Sequence, residues 1–173
     1  MTSTPITSEC GGEGARYMQR VLRDAAWGVL VMIDGDRPYA VPMNHAYVNG
    51  RILLHGALEG RKLDCIRRSP NVSYVVARQD APVADHGSQH GACHLDCDSV
   101  LCVGRARIVD DLAERAAVLN EYARWYNPAA GELSAERVGR CAAIEITVTE
   151  MTARRERGRK TAMFGWKDSE CRA

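Results

Sequence analysis

Long apolar runs are missing from this chain: nowhere do about 18 consecutive apolar residues occur, the length a membrane-crossing helix needs. The opening Met1-Thr-Ser-Thr-Pro-Ile6 also lacks the basic region and apolar stretch of a secretory leader. A strong charge of either sign is missing too, because 23 basic and 22 acidic residues leave a formal net charge of +1. Bulk electrostatics therefore points to neither a nucleic-acid nor a membrane partner, and neither is expected. Cysteines are present, but not as a paired framework: seven are scattered from Cys10 to Cys171. An odd, scattered set suits reduced thiols in a cytoplasmic protein better than disulfides in a secreted one.

What remains is an ordinary apolar fraction of 46% in 173 residues, enough for one domain with its own core. Residues 1–12 read as a loose polar start, 13–152 as the domain and 153–173 as a basic tail. Tyr17, Met18, Val21, Leu22 and Ala25 recur at helical spacing. Strands are expected at 29–33, at 38–48 after the turn Asp34-Gly35-Asp36, and at 51–54 after Asn49-Gly50, a dipeptide that favours tight antiparallel hairpins. A short helix over 58–68 stops before Pro70, and 72–77 returns to strand. Residues 79–97 form a long loop. Beyond it lie a strand over 99–109 with Gly104 as a bulge, a helix over 112–126 and a last strand over 142–151. Five or six antiparallel strands with inserted helices, without a βαβ rhythm, predict a mainly β chain folded as a closed or split barrel.

The stretch that carries chemistry is His55-Gly-Ala-Leu-Glu-Gly-Arg-Lys62, which leaves a strand and opens a helix. Backbone N–H groups at a helix start attract anions, Gly56 and Gly60 allow close approach, and Arg61 and Lys62 add charge. The spacing Gly-x-x-x-Gly-x-Lys, with Leu63 next, excludes the nucleoside-triphosphate loop. No Gly-x-Gly-x-x-Gly follows a strand, so a Rossmann dinucleotide site is unsupported. A phosphate group is the expected ligand, held by some other fold.

Several motifs stand together in order: Pro38-Tyr-Ala-Val-Pro42, His55-Gly-Ala57, Gly60-Arg-Lys-Leu-Asp64, and Ser99-Val100 followed by Gly104-Arg-Ala106. Over residues 13–151 the chain resembles the FMN-binding split barrels related to pyridoxamine phosphate oxidase, in the branch that includes nitroimidazole-resistance proteins. The resemblance implies an antiparallel split barrel working as a homodimer, with FMN at the subunit interface. It places Val41, Pro42, Met43 and Asn44 along the flavin ring, and His55, Gly56, Ala57 and Lys62 around the ribityl phosphate. Ser99 and Val100 fall near the cofactor, with Trp166 as a contribution from the partner. It further implies an oxidoreductase with a small-molecule electron donor and acceptor, nitro-aromatic acceptors among the candidates. No catalytic acid or base is visible, as expected where the cofactor carries the chemistry.

Two alternatives stay open. Some split barrels of this kind hold haem, and His45 or His55 near a cavity offers an axial ligand. The cluster His86, His90, Cys93, His94 and Cys97 contains metal-ligand residue types, which makes a non-catalytic metal-, haem- or flavin-binding sensor or store the second reading. Read blandly, the same cluster is an active-site loop. Cys65 and Cys141 read as core fillers.

Overall fold

The computed structural model describes residues 6–8, 12–79, 96–157 and 160–167. Among them nine strands form one antiparallel-dominated sheet: β1 (Ile6–Ser8), β2 (Gly28–Asp34), β3 (Arg37–Met43), β4 (Ala46–Val48), β5 (Arg51–Gly56), β6 (Asn71–Gln79), β7 (Cys97–Ile108), β8 (Ala142–Arg157) and β9 (Lys160–Lys167). Four helices are interspersed: α1 (Glu13–Asp24), α2 (Arg61–Arg68), α3 (Leu112–Tyr126) and α4 (Ala135–Gly139). The strand path runs β1-β9-β8-β7-β6-β2-β3, while β5 joins β8 and carries β4 on its other side. The architecture is a split barrel.

The split originates in β8. One of its edges pairs with β7 throughout, and the other is shared: β5 takes Ala142–Thr147 and β9 takes Glu150–Arg157. At the changeover the register slips between Val103 and Gly104: the bulge falls beside the expected glycine, but its extra residue is Thr149 on the facing strand β8. Gly104 has no alternative there, because a Cβ would run into the Thr147 carbonyl.

Sequence and local structure agree closely at the turns. Val48 and Arg51 pair across Asn49-Gly50, whose φ values of 49° and 78° are the two left-handed residues of the hairpin turn. The expected strand 38–48 is broken in two, however. His45 turns inward, fully buried, to donate from Nε2 to the Leu22 carbonyl at 2.8 Å, and Asn44 Nδ2 donates to Ala26 O at 2.7 Å. These two bonds tie the β3–β4 corner to the end of α1. The helix expected from residue 58 begins only at Arg61, since Gly60 adopts φ 127° and Leu58 is exposed. Of the residues expected as a basic tail, those described instead extend β8 to Arg157 and form β9, so the sheet continues past Thr152.

The main core lies inside the barrel, where Tyr17, Met18, Val21 and Leu22 of α1 meet Leu30, Met32, Ile52, Tyr74, Ile144 and Met151. A second cluster, including Leu53, Val109, Val118, Leu119, Val138 and Ala143, fastens α3 and α4 over the outer face of β5 and β8. Beside it sits buried Glu145, which accepts from Arg51 at 2.6 Å and Arg107 at 3.0 Å. Those arginines also grip Glu121 and Glu114 of α3, each through two nitrogen-to-oxygen bonds. One carboxylate thereby orients the two cations that hold α3 on the sheet.

Removing a partner from a fully buried ion pair costs about 3–5 kcal/mol, but Arg51 and Arg107 are part-exposed and keep their helix partners. Glu145→Gln is therefore expected to lower unfolding free energy by roughly 1–3 kcal/mol, read as a lower urea midpoint at unchanged slope.

Candidate functional site

β5 delivers His55 and Gly56 to the start of α2, and the Gly60 turn brings the helix round beside them. The Leu63 and Asp64 amides bond the Gly60 carbonyl at 2.9 and 3.2 Å, which leaves those of Arg61 and Lys62 at the positive end of α2. The Lys62 side chain folds back across Gly56: a Cβ placed on that glycine would lie 2.6 Å from Nζ. Burial pushes the Lys62 ammonium below its ordinary range, and among the described residues no carboxylate offsets it. A half-buried cation without a counter-charge, held over a glycine at a helix start, is an arrangement that an incoming anion stabilises.

His55 is neutral at pH 7, held below its ordinary range by burial and by the Lys62 charge. Its ring meets Tyr122 edge-on at 4.8 Å. Neighbouring Arg61 pairs with Asp34 at 2.6 Å and lies 4.3 Å over the Tyr39 ring, which fixes the start of α2 against the β2–β3 hairpin. His55, Gly56 and Lys62 are thus brought together, and Ala57 is exposed on the same connection.

The pleat of β3 divides the hairpin candidates. Met43 is buried and Val41 half-buried, both packed on the core, whereas Pro42 and Asn44 are exposed and line a cleft of about 320 Å³ with Trp27 and Met43. Of the apolar wall expected from Val41-Pro42-Met43, Pro42 and the edge of Met43 meet this cleft, while Val41 packs on the core. On β7 Val100 is in the core, while Ser99 is half-buried on the opposite face. Trp166 packs half-buried against the core of its own chain, on a strand separated from β3 by β8, β7, β6 and β2.

His86, His90, Cys93 and His94 lie outside the described residues. Cys97 is described: its thiol donates to Glu156 at 3.4 Å and is pushed up by burial and that carboxylate. No group of three or more metal-ligand side chains occurs among the described residues. Cys65 is a core residue as expected, but Cys141 lines a groove of about 430 Å³ with His55, Leu119, Tyr122, Tyr126 and Arg137. This groove went unread in the sequence, although Leu119, Tyr122 and Tyr126 stand at helical spacing on α3.

The buried corner is built around His45. The Leu22 carbonyl only accepts, so Nε2 carries the ring proton, and Nδ1 faces the Tyr74 hydroxyl at 3.0 Å while that hydroxyl donates to Met43 O at 2.7 Å. Tyr126 closes the corner by donating to His45 O at 2.5 Å.

With this geometry in hand, residues 15–155 match the family described as pyridoxamine 5′-phosphate oxidase. The chain belongs to that family. No curated protein matches it. Among solved structures it is similar to a candidate 5-nitroimidazole antibiotic resistance protein from Bacteroides thetaiotaomicron, at 22% identity and TM-score 0.68, covering 83% of this chain and 84% of that one. It is also similar to an FAD and haem binding protein from Mycobacterium smegmatis, at 12% identity and TM-score 0.67, covering 92% and 75%. An FAD-binding protein from Mesorhizobium loti matches at 23% identity and TM-score 0.56, covering 83% and 94%. At these identities the likeness is one of fold, and this member of the pyridoxamine 5′-phosphate oxidase family shares its split barrel with all three. No helix among the described residues is long and apolar enough to cross a membrane.

Burial holds His45 below its ordinary value of 6.5, and His55 shifts the same way. The unfolded chain therefore takes up protons first as pH falls through about 6.5, and the native state loses stability below that pH. The melting temperature should drop between pH 7.5 and 5, with a shallower slope in His45→Gln.

Proposed function

We propose that the chain is an FMN-dependent oxidoreductase of the nitroimidazole-resistance type, acting as a cytoplasmic homodimer on a small, nitro-aromatic acceptor. The observation that carries the reading is the Lys62 ammonium, half-buried over Gly56 at the start of α2 with no carboxylate beside it among the described residues. A flavin phosphate fits this cradle chemically. It brings the missing negative charge, and Gly56 leaves room for it where any side chain would meet the lysine. His55, neutral, adds a polar wall without adding further charge, and Arg61 is turned away to Asp34 and Tyr39. Pro42, Asn44 and the β3 backbone supply the surface on which an apolar ring system would rest. When bound, a flavin would supply redox chemistry between a small-molecule electron donor, a reduced nicotinamide or another, and the acceptor. The flavin-binding neighbours support the cofactor class, and the nitroimidazole-resistance neighbour supports the acceptor.

A second copy is expected on the outer face of the barrel. There Leu101 of β7, Val75 of β6, Val29 of β2 and Pro42 of β3 stand side by side in a row across four strands. Leu101 is 39% exposed, Val103 36% and Ile33 49%, so among the described residues nothing covers this apolar face. Pro42 belongs to both the row and the candidate flavin surface, so pairing here would bring the cofactor to the interface. The wild-type chain should elute at about twice 19.0 kDa, and Leu101→Asp with Val103→Asp should shift it to the monomer.

Flavin binding is tested by titrating the purified protein with FMN and recording absorbance from 300 to 700 nm. Lys62→Ala should weaken binding by about 1.5–3 kcal/mol, roughly 10- to 150-fold. Gly56→Ala, whose methyl displaces only a flexible lysine tip, should weaken FMN binding while leaving the melting temperature nearly unchanged. FMN affinity indifferent to both changes would remove the reading, and a Soret band in the purified protein would replace flavin with haem.

A further inference from the structure

At the far end of β8 the inward-facing row continues past the core as Arg155 and Arg157, opposite α1 and beside β9. Arg155 lies 5.2 Å from the centroids of both the Tyr17 and the Phe164 ring, and those two rings are themselves 5.0 Å apart. Arg20 of α1 sits 5.6 Å from the centroid of the same Tyr17 ring. Tyr17 is anchored by donating its hydroxyl to buried Asp98 at 2.6 Å, and Arg157 pairs with that carboxylate at 3.0 Å. Aromatic contacts and one buried acid thus fix the guanidinium groups in place.

Arg20, Arg155, Arg157 and Lys160, with Thr161 and Ala162, line a cleft of about 460 Å³. A neighbouring cleft of about 300 Å³ shares Arg20 and Arg155 and adds Arg16 and Glu13. Asp98 answers Arg157, but no described carboxylate forms an ion pair with Arg16, Arg20, Arg155 or Lys160. In a chain whose net charge is only +1, such a concentration of cations without an ion-pair partner among the described residues, with Glu13 alone of the lining residues acidic, is local, not a general property of the surface. Pre-positioned guanidinium forks match phosphate oxygens. Their number calls for a ligand with several negative charges, and the compact grouping around one open cleft suits a small molecule better than a nucleic-acid strand, which needs an extended basic stripe.

We propose that this cleft between α1 and the β8–β9 hairpin is a second ligand site, separate from Lys62, that binds a small polyphosphate such as a nucleoside diphosphate. The site stands independently of the flavin reading, because it uses none of the residues assigned there.

Calorimetry of the full chain with inorganic pyrophosphate and with ADP tests this. Both should bind, inorganic phosphate should bind at least tenfold more weakly, and Arg155→Ala and Arg20→Ala should each weaken binding at least tenfold. Lys62→Ala should leave it within twofold. Because Arg155 packs between two rings, its removal can cost stability, and Arg20→Ala and Lys160→Ala, both at exposed positions, then decide. No binding by the wild type, binding abolished by Lys62→Ala but not by Arg20→Ala, or tight binding of single-stranded RNA in place of ADP would each overturn the proposal.

Discussion

Strand β8 has more edge than any one neighbour can satisfy, and the molecule is arranged around that fact. Its 16 residues present a row of N–H and C=O groups that must all find partners. β7 satisfies one side, and on the other β5 and β9 divide the length between them. Where β5 ends the sheet forks, with α3 and α4 laid over one branch and α1 packed inside the other. The two regions with unusual charge, the glycine-lysine corner at the end of β5 and the arginine cleft at the end of β8, lie at the tips of these two branches. Topology, more than any single motif, decides that they are separate.

Electrostatics at the two tips follows different designs. Near Lys62 a lone cation is made responsive by partial desolvation, so that a ligand's charge counts for more than it would in water. Around Arg155 the cations stay open to solvent on one side, and aromatic faces hold Arg155 and Arg20 in place from the other. Between the two lies the Glu145 network, in which every charge has a partner within the chain. Its task is to seat α3, and through Tyr122 that also positions the wall beside His55.

How much of this was legible in the sequence depended on whether a local rule or a long-range partner decided the outcome. Asn49-Gly50 and Gly104 were readable because backbone conformation or space at one residue dictates the result. So was the strand-to-helix connection from His55 to Lys62, although the helix itself starts at Arg61 and not at Leu58. The extension of β8 and the existence of β9 were not, since Thr152-Ala-Arg-Arg-Glu-Arg157 is polar enough to pass for a tail, and only pairing with β7 and β9 makes it strand. The break at Asn44-His45 depended on Leu22 of α1 and on Ala26 just beyond that helix. Along β3 the alternation was visible, yet the residues were read as one wall, and the pleat sends Val41 and Met43 inward while Pro42 faces out. The histidine-rich cluster from His86 to His94 falls outside the described residues.

The bulge opposite Gly104 acts as a change of phase in the chain's two-residue rhythm. Before it, the even-numbered residues Ile144, Ile146 and Val148 of β8 point into the barrel; after it, the odd-numbered Met151 and Ala153 do. Thr149 is the extra residue that resets the count, held by its hydroxyl to Val103 O at 3.2 Å. Everything downstream inherits that reset, including which arginines face α1 and which face water. Losing one residue at this point would exchange the faces of Arg154 and Arg155 with the sheet still formed, so β8 tolerates substitution far better than a shift in length.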